Sequence, residues 1–365
     1  MEPISLGIVG CGAISDRYFE AGNAFDALDL RACADLEVER AESKAEEHGV
    51  PVACGPDDLY ADDEVDVVVV LTPPAYHGDV ALSALDAGKH VYTEKPLAPT
   101  REEGAAILER AEAAGLRVGA APDTFLGTGL QTCRDVVEEG RIGDPVGAVA
   151  FWGNHGHEHW HPDPEGFYGP GGGPLFDMGP YYLTALVHLL GPVSAVAGAT
   201  NALFEEREIT SDPKAGKTIP VEVPTHETGV LKFENGATGT LLTSFDVWES
   251  ELPGFEIYGT EGTLSVTNPN HFGGTPRVHA AEASDGEWEE VTVTREQPGQ
   301  QRGLGLVDMA RAIRSDWRQR ASGDLAYHVL DVMQGLRDSS DGEEYVAASS
   351  SVERPDPLPD RFPEA

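Results

Sequence analysis

The chain has 365 residues, 63 acidic against 25 basic side chains, a formal charge of −38 at pH 7 and 40% hydrophobic residues. Such a charge repels nucleic acid and anionic membrane surfaces, which excludes both as expected partners, while the length and apolar content suit two domains with proper cores. Acids spread along the whole length, with six lysines beside nineteen arginines, are the composition of a protein that works in concentrated salt, where counterions screen self-repulsion.

The N-terminal run ISLGIVGCG carries no basic leader and no cleavage site, so a cytoplasmic protein is expected. Cys11, Cys33, Cys54 and Cys133 show no C-x-x-C spacing and are read as small buried hydrophobes in a reducing compartment. Over residues 1–122 the strand-like runs ISLGIVG, LRACAD, DVVVVLT, KHVYTEK and LRVGAA alternate with amphipathic stretches. That alternation predicts a parallel sheet covered by helices, with the wholly apolar Val67 to Val70 as a central strand.

The first strand runs into Gly10-Cys11-Gly12-Ala13-Ile14-Ser15 and then a helical pattern, the context of a dinucleotide-binding turn. Two glycines allow a sharp turn and close approach to a pyrophosphate, and the helix N-terminus adds amides and a favourable dipole. Ser15 replaces the third glycine of the usual fingerprint. Asp35, at the end of the second strand, is placed either to accept from an adenosine ribose or to cap the helix that follows. Lys95, one of only six lysines, falls at the C-terminal end of a strand, where open α/β sheets place their ligands. Its alternative is a surface pair with Glu94.

After Pro122 the pattern changes, and residues 123–365 are expected to form an α+β domain with a large, mainly antiparallel open sheet. A helix is predicted over residues 129–139 and a strand over 146–152. From about 192 to 293, strands are punctuated by turns such as Asn235-Gly236 and Thr260-Glu261-Gly262. Helices follow near 303–318 and 326–336, expected to pack back on the first domain, and then the Pro-rich tail PDPLPDRFPEA. The apolar window from Tyr181 is broken by His188, Gly191 and Pro192, so it reads as a core helix and a strand, not a membrane span.

The stretch NHGHEHWHP spells H-E-x-x-H from His157 to His161, a zinc-hydrolase motif that works only on a helix. Gly153 and Gly156 before it and Pro162 and Pro164 after it oppose a helix, so a loop is expected and no metal site. Downstream, GGGPLFDMGPYY leads into a helix on which Asp177 and Tyr181, four residues apart, would share a face. An N-cap aspartate and a core tyrosine are the alternative.

The turn Thr72-Pro73-Pro74-Ala75-Tyr76-His77, the run Ala87 to Val91 and the signature Glu94-Lys95-Pro96 together resemble the Gfo/Idh/MocA oxidoreductases, and the similarity continues through Gly171-Gly172-Gly173 and Asp177-Met178-Gly179-Pro180-Tyr181. It covers essentially the whole chain. The resemblance implies a Rossmann domain binding NAD, with NADP possible, through Gly10, Gly12, Ala13, Ile14, Asp35, Thr72, Pro73, His77, Glu94 and Lys95. It also implies hydride transfer to or from a secondary alcohol of a sugar, polyol or cyclitol, with Lys95, Asp177 and Tyr181 catalytic. Where many members carry D-x-G-x-H, Tyr181 takes the histidine's place, so the chain resembles the branch in which tyrosine exchanges the proton. The histidine loop is then expected to wall a sugar pocket with His157, Trp160 and His161, imidazoles bonding hydroxyls and indole covering ring C–H groups. A homo-oligomer, dimer or tetramer, is implied by the family. Three readings stand beside this one: a non-catalytic NAD-binding sugar sensor, an NAD-dependent glycosidase, and a zinc hydrolase.

Overall fold

A computed structural model describes residues 2–283, 286–296, 299, 301–315, 317–359 and 362. The chain forms two compact units, Met1–Gly127 with Glu296–Leu330 and Leu358–Ala365, and Thr128–Arg295 with Asp331–Pro357.

In the first unit the strands β1 (Ile4–Val9), β2 (Leu28–Ala34), β3 (Val52–Cys54), β4 (Val67–Val70), β5 (His90–Thr93) and β6 (Val118–Ala120) form one sheet in the order β3-β2-β1-β4-β5-β6. Every pairing is parallel. Helices α1 (Ser15–Ala24), α2 (Val38–His48), α3 (Pro56–Tyr60), α4 (His77–Asp86) and α5 (Arg101–Ala114) connect them. Val67 to Val70 are all buried, as a central strand covered on both faces must be. The order reverses between β1 and β4, and in a sheet of this kind that reversal opens a crevice at the strands' carboxyl ends. This is the Rossmann arrangement. The strand β3 and helix α3 escape a reading by periodicity because they are only three and five residues long. Helix α5 starts cleanly because the Thr100 hydroxyl accepts the Glu103 amide at 3.2 Å.

The second unit opens with α6 (Thr128–Glu138), β7 (Pro145–Gly153) and α7 (Pro174–Leu190), followed by β8 (Val193–Asn201), β9 (Glu206–Glu208), β10 (Thr218–Pro220), β11 (His226–Phe233), β12 (Thr238–Ser244), β13 (Phe255–Gly259), β14 (Gly262–Ser265), β15 (Arg277–Ala280) and β16 (Glu289–Glu290). Helices α8 (Leu304–Arg314) and α9 (Gly323–Gly342) and the short β17 (Val346–Ala347) complete the chain, α8 lying in the first unit. Nine strands make one sheet in the order β16-β15-β14-β13-β7-β12-β11-β8-β17, antiparallel except for the parallel pair β7–β12. That exception follows from the chain path, since β7 precedes α7 and the later strands close around it. The Asn235-Gly236 turn joins β11 to β12, and its glycine takes φ +92°.

Helix α7 packs on β7, β11 and β12 and is buried along nearly its whole length. Among the described residues no helix is long and apolar enough to cross a membrane. Cys11, Cys33 and Cys133 are buried and free, while Cys54 is only partly buried.

Candidate active site

At the carboxyl end of β1 the backbone turns through Gly10 at φ +101°, where a Cβ would meet the Leu71 carbonyl carbon at 2.8 Å. Only glycine fits there. Gly12 differs: a Cβ on it would meet nothing within 4 Å, so packing does not demand the glycine, and the space over its backbone is open to a phosphate group. Ala13 and Ile14 are exposed at the start of α1, and no side chain caps that helix end, although the Ser15 and Arg17 amides bond the Gly12 and Ile14 carbonyls, each at 3.1 Å. The Thr72 hydroxyl, at the end of β4, is buried with no partner among the described residues, and Pro73 beside it is exposed. These features fit a dinucleotide.

Asp35 performs two structural tasks. One carboxylate oxygen accepts the Cys11 amide at 2.9 Å inside the glycine turn, and the other accepts the Glu37 amide at 3.0 Å ahead of α2. Its neighbour is Arg40, whose guanidinium lies 4.0 Å from the carboxylate and 2.9 Å from Glu37.

Lys95 follows β5 in a backbone held from both sides. The buried Glu94 carboxylate accepts the Lys95 amide at 3.0 Å and the Tyr18 hydroxyl at 2.7 Å. Burial alone would raise the Glu94 carboxyl, but the Arg302 charge, the Tyr18 hydroxyl and Lys95 outweigh it and hold the group below the usual carboxylate range. On the other side the His77 ring places Nδ1 2.7 Å from the Pro96 carbonyl and Nε2 2.9 Å from the Thr72 carbonyl, tying the two turns together. Burial pushes the His77 imidazole below its ordinary 6.5, against the pull of the two carbonyls. Glu94 and His77 thus hold the backbone from which Thr72 and Lys95 project.

In the second unit the GGG loop feeds α7. Gly173 takes φ +93°, and a Cβ there would meet an Arg337 nitrogen and the Pro224 carbonyl, each at 2.8 Å. Pro174 opens the helix, where a missing amide costs nothing. The buried Glu227 accepts the Leu175 amide at 3.0 Å and pairs with Arg337 at 2.7 Å, fixing the first turn. Asp177 lies in that turn, and Tyr181, one turn later, is 8% exposed.

The histidine loop reaches Asp177 through one residue. His157 Nε2 lies 2.9 Å from an Asp177 carboxylate oxygen, and the ring, 4% exposed, is boxed by Trp160, Phe167 and Phe245 with centroids 5.0, 4.3 and 4.7 Å away. Its polar edge therefore serves Asp177. Trp160 is 55% exposed; His161 is partly exposed, and its ring nitrogen accepts the Asp163 amide. The zinc-hydrolase reading fails here. Residues 157–161 form a turn and not a helix, and Glu158, the would-be base, is buried against Arg207 at 2.9 Å and the Tyr168 hydroxyl. Among the described residues the clustered ligand types are Asp16, Glu47 and His48, elsewhere in the first unit, where the Lys44 ammonium already bonds both carboxylates.

Family comparison covers both units. Residues 4–121 match the model of the Gfo/Idh/MocA oxidoreductase family with an NAD-binding Rossmann fold, and residues 130–265 match the C-terminal domain of the same family. The chain belongs to the Gfo/Idh/MocA oxidoreductases. Among relatives of this oxidoreductase, a D-xylose 1-dehydrogenase (NADP+) from Haloferax volcanii is 25% identical over 92% of this chain and 97% of its own. A levoglucosan dehydrogenase from Pseudarthrobacter phenanthrenivorans is 26% identical over 72% of this chain and 73% of its own. In fold, a solved levoglucosan dehydrogenase in complex with NADH and L-sorbose superposes with a TM-score of 0.81 at 22% identity, covering 96% of this chain and all of the other.

Sequence reasoning missed Arg40, Arg302, Arg207 and Tyr168. Arg302, Arg207 and Tyr168 act across a distance in the chain, and no local spacing marks them. Arg40 had a local signal, one helical turn past Glu37 and five residues past Asp35.

Proposed function

We propose that this oxidoreductase transfers hydride between NAD and a secondary alcohol carbon of a sugar, polyol or cyclitol, accepting NADP as well. The observation that carries the reading is Asp177 in the first turn of α7, held by the buried His157 and one turn ahead of Tyr181. The named activities of relatives support it: a 1,5-anhydro-D-fructose reductase, a D-xylose dehydrogenase, a levoglucosan dehydrogenase and a D-glucoside 3-dehydrogenase all act on sugars or their derivatives.

Gly10, Gly12, Ala13, Ile14, Asp35, Thr72 and Pro73 would hold the dinucleotide, with His77 and Glu94 contributing through the backbone they fix. When bound, the nicotinamide supplies the acceptor or donor of hydride. Lys95 donates a hydrogen bond to the reacting oxygen and orients it; Tyr181 takes the hydroxyl proton in oxidation and returns it in reduction. Asp177 accepts from a hydroxyl and keeps the carbinol in register, and His157 keeps Asp177 from turning. Trp160 and His161 provide an apolar face and a donor for the ring of the substrate. Asp35 favours NAD, since a carboxylate repels a 2′-phosphate, whereas the neighbouring Arg40 guanidinium gives that phosphate a partner. The family resemblance supports a homo-oligomer, and dependence on the soluble nicotinamide pool supports a cytoplasmic location.

The test is a panel of D-xylose, levoglucosan, alkyl glucosides, sugar acids and inositols with NAD and NADP, followed by nicotinamide absorbance in dilute and in molar salt. Turnover of a panel member that disappears in Tyr181→Phe is the expected result. Binding of NADH with no turnover across the panel would replace the dehydrogenase with a sensor.

A further inference from the structure

Glu94 belongs to a motif, but its carboxylate is held by a residue that no motif includes. Arg302 lies immediately before α8, more than two hundred residues downstream. Its Nη1 is 3.2 Å from an Asp123 oxygen and 3.9 Å from the Glu94 oxygen that also accepts the Tyr18 hydroxyl. Asp123, fully buried after β6, accepts the Gly303 amide at 2.9 Å and the Gly305 amide at 3.1 Å, so it caps α8 and fixes the backbone beside Arg302. The remaining Glu94 oxygen accepts the Lys95 amide at 3.0 Å. The chain of contacts runs from Arg302 to Glu94 to the backbone of Lys95.

We propose that Arg302 is a positioning residue, which keeps Glu94 a carboxylate turned toward the Lys95 amide and thereby sets the point from which the Lys95 side chain reaches the substrate. That last step rests on the catalytic role proposed for Lys95; the grip on its amide does not. Two buried carboxylates and one guanidinium share this space, and an uncompensated buried carboxylate takes up a proton rather than stay charged. The groups facing Glu94 are Tyr18 from α1, His77 from α4, Tyr92 on β5, Lys95, Asp123 and Arg302. Arg302 is the largest influence favouring its ionised form. Once protonated, Glu94 becomes a weaker acceptor, and the Lys95 amide loses a charge-assisted bond.

Hydrogen exchange reads this bond without substrate. Pro96 has no amide, so a peptide ending there reports Lys95 beside Glu94, whose own amide is bonded to the Val70 carbonyl at 2.9 Å in the sheet. In full-length protein with NADH present, Arg302→Gln should speed exchange at Lys95 about tenfold or more at neutral pH, while the amides of β4 and β6 keep their protection. Arg302→Lys should restore it, and raising the pH should recover protection in Arg302→Gln as Glu94 ionises. Turnover on the sugar found by the panel should follow the same pH course. Should Arg302→Gln fail to fold, Tyr18→Phe removes the hydroxyl from the same Glu94 oxygen and should shift Lys95 exchange in the same direction. Unchanged Lys95 protection in the variant that folds, equal loss in Arg302→Lys, or loss spread evenly over β4, β5 and β6 would each overturn the proposal. A protection pattern as expected with no effect on turnover would overturn the positioning role and leave only the grip on the amide, while the catalytic role of Lys95 is tested separately by Lys95→Ala.

Discussion

The two units carry buried networks of the same composition. In the first, Glu94 meets Tyr18, Arg302 and Asp123; in the second, Glu158 meets Tyr168, Arg207 and Asp246. Each glutamate adjoins a residue of the candidate site in sequence, Lys95 in one case and His157 in the other. In the first network the glutamate itself grips the neighbour's amide. In the second the Tyr168 hydroxyl, donating to Glu158, accepts the His157 amide at 3.2 Å. The arginines also differ: Arg207 binds both acids directly and the Phe245 carbonyl at 3.2 Å, whereas Arg302 stands 3.9 Å from Glu94. A glutamate in a sequence motif can thus be an anchor, gripped directly by its arginine in one unit and at a longer distance in the other.

The largest effects should separate reacting groups from anchors. Tyr181→Phe and Lys95→Ala should each lower kcat by roughly 10²- to 10⁴-fold with NADH binding retained, the loss expected for a positioned acid/base group. If Glu158→Gln, correctly folded, costs as much, the second glutamate is chemical after all and the comparison breaks. Next comes stability. Arg207→Gln leaves the buried Glu158 and the partly buried Asp246 without a cation, with only the Tyr168 and Thr225 hydroxyls as side-chain donors, so denaturant unfolding should show a loss of about 3 kcal/mol. Arg302→Gln should lose less, because two backbone amides still serve Asp123.

A smaller kinetic effect should distinguish two histidines of one loop. His157→Ala should reduce kcat roughly 10- to 100-fold by freeing Asp177, whereas His161→Ala should raise the Michaelis constant with kcat held. The reverse outcome would assign His161 to the reacting group. Smaller again is a pH dependence carried by His77 in the first unit. His77 is buried with its pKa below the unfolded 6.5, so the unfolded chain binds the proton first and stability falls as pH drops through 6.5 toward the folded value. Thermal melts between about pH 7.5 and 5.5 should show a shallower loss in His77→Gln than in the parent. The least effect is expected at the surface: Arg40→Ala should reduce kcat/KM for NADP by about tenfold and leave NAD unchanged, the scale of one charge-assisted contact.

The Rossmann half was legible because its signals are local. An apolar run, a glycine pair and an acid at a strand end each declare themselves within a few residues, and β1, β4 and Gly10 lie where those signals placed them. The second half was legible as to sheet and helix, since Asn235-Gly236 and the apolar pattern of α7 are equally local. The roles of His157 and Glu158 were not. Their partners Asp177, Tyr168 and Arg207 lie 20, 10 and 49 residues away, and only the folded sheet brings them within 3.2 Å. The same residues that spelled a metal motif in the chain spell an anchor and a brace in space.

Asp35 bears on how such an enzyme can change over generations. Its two oxygens are both committed to backbone amides, one of them inside the glycine turn itself. A lineage that exchanged this acid would loosen the glycine turn proposed to receive the pyrophosphate in the same step. Exchanges at the exposed Glu37 and Arg40, by contrast, would leave both amide bonds of the acid in place.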